Sequence, residues 1–198
     1  MLEFSYVRCI ESALKRLNYK IPTDLDWCIG PPLQDSFLEI LNDRSKIDIA
    51  IKYYRERFSK IGVYENKLYR GAEDCLFSLQ QSKYQLFLAT SKPIIYASRI
   101  LKHFNLTRYF FGEYGSELDG TRKDKTNLIN YILEKESLNP SDIFMIGDRK
   151  YDLIGAKNNN ISMIGVSYGY GSLTELENES LISIVASPME IVNFFKQT

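Results

Sequence analysis

The spacing of apolar and polar positions changes character once along the chain, close to residue 69. Before that point it is helical. Phe4, Val7, Ile10, Leu14 and Leu17 recur at intervals of three and four, which places them on one face of a helix, and residues 35–41 and 47–58 repeat the pattern. Ile21-Pro22-Thr23 and Gly30-Pro31-Pro32 interrupt it. Residues 1–68 therefore read as a small all-helical unit that opens inside a helix, with no strand ahead of it.

After Tyr69-Arg70-Gly71 helical and strand patterns alternate. Residues 72–82 predict an amphipathic helix, and 84–89 a short apolar strand emptying into Thr90-Ser91-Lys92-Pro93. A helix over 94–104 and a short strand at Tyr109-Phe110-Phe111 follow. The segment Gly112-Glu113-Tyr114-Gly115-Ser116 does not read as a buried strand. A polar loop over 117–125 leads to a helix over 127–135, a strand over 143–146, a helix through Asp152 to Lys157, and a strand over 162–166. Tyr168-Gly169-Tyr170-Gly171-Ser172 reads as a plain loop, residues 181–185 as a weak last strand, and Pro188 as the start of a terminal helix. Such alternation predicts an α/β fold with a parallel sheet for residues 69–198.

The densest chemistry lies in Ile143-Phe144-Met145-Ile146-Gly147-Asp148-Arg149-Lys150-Tyr151-Asp152. Ligands gather at the carboxyl ends of parallel strands, and Asp148 falls at such an end. Asp152, one helical turn on, can face back toward it. Two carboxylates so placed suit magnesium, which keeps several waters and takes one or two protein carboxylates. The same residues are also explained by a helix cap and a surface aspartate. At the 84–89 strand end, the Thr90 hydroxyl, Ser91, Lys92 and the backbone N–H groups of the following helix form either a phosphate cradle or an ordinary cap. One of the lysines in the 117–125 loop can project toward the carboxylates. Arg55 and Arg57 either reach an anion or lie on a solvated face. His103, the sole histidine, sits near a helix end and receives no chemical role.

Composition narrows the partners. The 198 residues hold 25 Lys plus Arg against 25 Asp plus Glu, so there is no basic field for nucleic acid and no acidic tail. Cys9, Cys28 and Cys75 are odd in number and far apart, which indicates neither a zinc site nor a disulfide framework and makes a reducing cytoplasm the default. No apolar run reaches the roughly 18 residues of a membrane span, and no signal-peptide pattern is present.

Taken in order, Thr90-Ser91-Lys92, then Lys125, then Gly147-Asp148 with Asp152 resemble the motifs of the haloacid-dehalogenase-type phosphatases, closely their phosphoglycolate-phosphatase and 5'-nucleotidase-like members. Ile29-Gly30-Pro31-Pro32-Leu33 resembles that family's cap, and the resemblance covers essentially the whole chain. It implies a Rossmannoid three-layer core with a parallel sheet (69–198), a small helical cap (1–68), and magnesium-dependent hydrolysis of a small phosphorylated metabolite. Thr90 would bind phosphate, with Ser91, Lys92 and Arg55 as further substrate contacts. Lys125 would hold the phosphoryl oxygens and the nucleophile; it is preferred to Lys123 because it immediately precedes the helix. Asp148 and Asp152 would organise the metal, Asp148 as the direct ligand.

One departure stands out. The family attacks phosphorus with the first aspartate of an Asp-x-Asp-Gly-Thr pattern at the end of its first, central strand, forming an aspartyl-phosphate. This chain begins after the place where that strand should lie, which leads us to expect a chain shortened by a late start codon, an interrupted gene or clipping. Asp24-Leu25-Asp26 copies the spacing without the strand. Glu117-Leu118-Asp119-Gly120-Thr121 copies more of it but matches a different loop of the family. Without the central strand, its two neighbours must close the gap or find another filler, since each buried group left unpaired costs about 1–3 kcal/mol. Two readings follow: a magnesium-dependent phosphatase, or a catalytically silent chain that keeps only the phosphate- and metal-binding residues.

Overall fold

The computed structural model describes residues 5–176 and 181–197. The chain divides into two units, Met1–Leu68 and Tyr69–Thr198.

The first unit is helical, with α1 (Ser5–Arg16), α2 (Leu33–Leu41) and α3 (Ile47–Lys60). Phe4, expected at the start of α1, lies outside the described residues. The predicted apolar spacing of α1 reaches the core at Ile10 and Leu14, joined by Cys9 and Ala13, while Val7 and Leu17 are half-buried; Phe37 and Leu41 of α2 and Ala50, Tyr54 and Phe58 of α3 complete it. Tyr54 stacks on Phe58 at 5.5 Å between ring centroids and meets Tyr6 edge-on at 5.3 Å. Arg57 does not stand free for an anion. Its guanidinium grips Glu65 through two hydrogen bonds, of 2.7 and 2.9 Å, and so ties the end of α3 to the segment that leaves it.

The second unit runs α4 (Ala72–Gln81), β1 (Phe87–Pro93), α5 (Ile94–His103), β2 (Gly112–Ser116), α6 (Lys125–Glu136), β3 (Phe144–Gly147), α7 (Lys150–Asn158), β4 (Ser162–Val166), α8 (Leu173–Leu176), β5 (Leu181–Val185) and α9 (Pro188–Gln197). All strand pairings among the described residues are parallel, and helices cover both faces, so the unit is the expected three-layer α/β core. The strands' period of two separates the layers. Ile164 and Val166 of β4 turn toward Cys75 and Leu79 of α4 and Ile191 and Val192 of α9. Met163 turns the other way, toward Ile129 of α6 and Leu153 and Ala156 of α7.

Three local expectations are corrected. β1 starts later than predicted and continues through Ser91 and Lys92 to Pro93, because its partner β2 extends the ladder that far. Tyr109-Phe110-Phe111 is not a strand: Thr107–Tyr109 is a 3₁₀ turn, and Phe111 is 64% exposed. The strand is instead Gly112–Ser116, whose last three residues are buried. Its two glycines and polar ends hid it. Pairing with β1 and packing of Tyr114 against Leu128 and Ile132 of α6 supply what its composition does not.

The sheet itself is divided. One ladder has the order β1-β2 and the other β3-β4-β5, and β1 does not pair with β3. The gap is thus not closed by the neighbouring strands. Helix α6 spans it on one face, sending Leu128 and Ile132 toward Tyr114 and Phe87, and Ile129 and Leu133 toward Met163 and Met145. On the other face Leu86 shares a core with Phe144 and Ile146. The flanking strands stay partly accessible, with Phe87 to Thr90 and Phe144 to Ile146 half-buried while Met163 and Ile164 of β4 are fully buried. Water can therefore reach the unpaired edges, which lowers the cost of leaving them open. No helix among the described residues is long and apolar enough to cross a membrane.

Candidate active site

The carboxyl ends of β1 and β3 are joined through Lys125. This residue is the first of α6 rather than preceding it, and the helix begins two residues earlier than expected, because Asp124 caps it by accepting a hydrogen bond from Asn127 N at 3.0 Å. Lys125 is 8% exposed. Its Nζ donates to the Ala89 carbonyl at 2.9 Å and pairs with Asp152 Oδ1 at 2.9 Å. The direction of the Ala89 carbonyl follows from its neighbours. Leu86 O accepts Phe111 N, on the β2 side, and carbonyls alternate along a strand, so Ala89 O points away from β2 toward the open edge. Lys125 thus closes the top of the gap with its ammonium group.

Thr90 follows Ala89. Its Oγ1 accepts Lys92 N at 3.2 Å, which folds the backbone back at the start of α5 and leaves the hydroxyl hydrogen available to donate. Ser116 of β2 fixes the same turn by donating to Ser91 O at 2.9 Å. Ser91 itself is exposed and Lys92 half-buried. Pro93 ends the strand as the residue before the helix, and Ile94 is the first helical residue.

At the other strand end, Asp152 is 8% exposed and both its oxygens are engaged. Oδ1 holds Lys125, and Oδ2 accepts Asp148 N at 3.3 Å and Arg149 N at 3.2 Å. A carboxylate in the first turn of α7 is also favoured by the positive end of the helix dipole. Asp148 is arranged differently. Its Oδ2 accepts Tyr170 N at 2.7 Å, and Oδ1 takes no hydrogen bond among the described residues.

This donor chemistry bears on a metal. Among the described residues, no three His, Cys, Asp or Glu side chains gather. A cation that keeps several waters and uses few protein ligands fits Asp148 Oδ1, whereas a cation needing a full protein cage does not. Both oxygens of Asp152 already have protein partners, Oδ1 the Lys125 ammonium and Oδ2 the Asp148 and Arg149 amides.

The two decoys are tied up locally. Asp24 Oδ1 accepts Asp26 N at 2.9 Å in a turn of the helical unit. Glu117 does follow a strand, contrary to expectation, but it is bound to Arg122, and Asp119 accepts Thr121 N at 2.8 Å. Asp24 belongs to the helical unit, and within the α/β unit Glu117 pairs with Arg122 and not with Lys125. Arg55 lies on α3 in the helical unit, while Thr90, Ser91, Lys92, Lys125, Asp148 and Asp152 belong to the α/β unit.

Sequence reasoning missed two contributors. A Cβ on Gly155 of α7 would stand 2.6 Å from Lys125 Cγ, so the absence of a side chain there lets the lysine stem pass between the helices. The 168–172 loop, read as plain, lies directly on Asp148. Its paired glycines were the available signal.

The α/β unit is thus a divided parallel sheet that carries a lysine, a hydroxyl and two carboxylates at its strand ends. The chain belongs to the haloacid dehalogenase-like hydrolase family, whose profile matches residues 4–166. It is 42% identical over 172 residues to a 5'-nucleotidase of Pseudomonas aeruginosa, covering 85% of this chain and 78% of that protein. It is 31% identical over 152 residues to the tyrosine-protein kinase PtkA of Mycobacterium tuberculosis, covering 77% of this chain but 52% of that protein. Among solved structures, one described as a predicted phosphatase from Clostridium acetobutylicum superposes with a TM-score of 0.91 at 39% identity, covering 98% of this chain and 91% of that one.

Proposed function

We propose that this chain is the phosphate- and metal-binding body of a magnesium-dependent phosphatase acting on small phosphomonoesters in a reducing cytoplasm. The observation that carries the reading is Lys125, buried and held between the β1 end and Asp152. A structural ion pair would not need an ammonium group at the open edge of a strand beside Thr90. An incoming phosphoryl group does need one. Phosphoryl transfer depends on positioning and on neutralising oxygen charge. The Thr90 hydroxyl donates to a phosphoryl oxygen, the backbone at the start of α5 offers N–H groups, and Lys125 balances charge while Asp152 keeps it aimed. Magnesium, when bound at Asp148, supplies the remaining positive charge. The kinship with a 5'-nucleotidase favours a nucleoside monophosphate, and the sequence resemblance adds phosphoglycolate. All three buried cysteines are free, which agrees with the cytoplasmic reading.

The reading needs a carboxylate nucleophile at the open edge between β1 and β3. The Asp24 and Glu117 segments are folded into their own turns, and this favours a second reading: a silent chain that binds phosphate but forms no covalent intermediate. Hydrolysis of p-nitrophenyl phosphate, with and without magnesium, separates the two. The 198-residue chain is compared with a version bearing an apolar strand ending in Asp-x-Asp-Gly-Thr at its amino end. Turnover in the extended version alone, abolished by Asp148→Asn, supports the phosphatase reading. Turnover in neither supports the silent one. Full activity of the extended Asp148→Asn variant would sink the metal assignment.

A further inference from the structure

The Tyr168-Gly169-Tyr170-Gly171-Ser172 loop makes contacts that a plain connection does not need. Gly171 approaches so closely that a Cβ would stand 1.7 Å from the Asp148 carbonyl oxygen, and one on Gly169 would stand 2.3 Å from Asp148 Cβ and Oδ2. Between them the Tyr170 N–H donates to Asp148 Oδ2 at 2.7 Å. Both ends of the loop are fastened. At its start, the Tyr168 ring meets Tyr69 edge-on at 5.1 Å and packs against the core that holds Ile164 and Val166. After it, Glu175 of α8 takes Arg149 in a two-point ion pair, with Nε at 2.9 Å and Nη2 at 3.2 Å. Arg149 is the residue next to Asp148. The pair therefore ties the far side of the loop to the segment that the loop covers.

We infer that this loop is a positioning element for Asp148: the Tyr170 N–H holds Oδ2, the glycines let the backbone close, and the ion pair of Arg149 with Glu175 keeps it closed. The consequence is directional. With Oδ2 held by the loop, Oδ1 is the oxygen turned to a cation, and its orientation is set before the cation arrives. Gly169, Tyr170, Gly171 and Glu175 touch neither metal nor substrate in this scheme and act only through Asp148. The inference rests on the metal assignment made above for Asp148, but the closure of the loop can be read without metal.

The test uses the 198-residue chain, its Glu175→Gln, Glu175→Asp and Gly171→Ala variants, and Asp148→Asn as the reference for a lost carboxylate. Two readouts are taken: hydrogen exchange of the Tyr170 amide without metal, and binding of Mn2+ alone by titration calorimetry. Loss of a partner that orients a metal ligand lowers metal affinity about 10- to 100-fold. Glu175→Gln and Gly171→Ala should fall in that range and expose the Tyr170 amide to faster exchange, while the Ile164 amide in β4 keeps its wild-type rate. Glu175→Asp, which retains the charge, should recover part of both losses. Unchanged Tyr170 exchange or unchanged Mn2+ affinity in Glu175→Gln and Gly171→Ala overturns the inference. A wild-type chain that binds Mn2+ no better than Asp148→Asn, with Tyr170 still protected, overturns the underlying metal assignment instead.

Discussion

Lys125 and Asp152 have nearly the same exposure, 9% and 11% for their side chains, yet they depend on each other unequally. Asp152 keeps two backbone donors if the lysine is lost, whereas Lys125 would keep only the Ala89 carbonyl if the aspartate were lost. Breaking a buried pair by removing one partner costs about 3–5 kcal/mol, so Lys125→Met should fall near the lower end and Asp152→Leu near the upper. Urea unfolding of both variants checks the order; equal losses would mean that the backbone donors do not support Asp152. In the helical unit, Glu65 contributes a pH dependence of its own. Hydrogen bonds from Arg57 hold its carboxyl below the ordinary value of 4.5, against a smaller upward push from burial, and Arg8 adds to the lowering. A depressed carboxyl stabilises the fold fully above its unfolded value and loses that contribution as pH falls through the lowered one. Glu65→Gln should therefore lower the melting temperature near neutral pH, with the difference from wild type closing in acid.

Among the elements, the contact of α6 with α7 sets the position of the lysine. A methyl group at residue 155 would meet Lys125 Cγ at 2.6 Å, Lys125 Cβ at 3.1 Å and Ile129 Cδ1 at 3.0 Å, and two of these atoms lie near the base of the lysine side chain, where it cannot swing away. Two effects oppose each other. Alanine is better than glycine in a helix interior by up to about 1 kcal/mol, while overpacking costs about 1–3 kcal/mol. Crowding wins, and Gly155→Ala should destabilise the α/β unit by about 1 kcal/mol and, in an active form of the protein, raise KM for p-nitrophenyl phosphate. A variant more stable than wild type would show that the helices can separate freely. The elements also show where sequence patterns work. Helices with a strong apolar stripe were legible to within about two residues at most ends, as were β4 and β5. The strand Gly112–Ser116 was not, since its identity comes from pairing with β1 and cover from α6 rather than from apolar alternation.

For the molecule as a whole, the divided sheet is the property with the widest consequences. The amides of Phe87 and Ala89 alternate with those on the β2 side and so face the open edge. Their hydrogen exchange should be faster than that of Leu88, and it should slow in the version that carries the added strand. Equal exchange at all three positions, with no change on extension, would mean that the gap is not where a strand docks.

The order Thr90, Lys125, Asp148, Asp152, the helical first unit and the parallel α/β second unit were all determined by the sequence, because helical and strand periods and strand-end residue types are local signals. That Asp148 keeps one oxygen free while both oxygens of Asp152 are engaged was decided only by the tertiary structure. So were the closeness of Gly155 to Lys125 and the covering of Asp148 by a loop some 20 residues further along the chain. These are long-range contacts, fixed by how helices and strands stack, and no local pattern in the chain encodes the partner of a side chain that meets it only after folding.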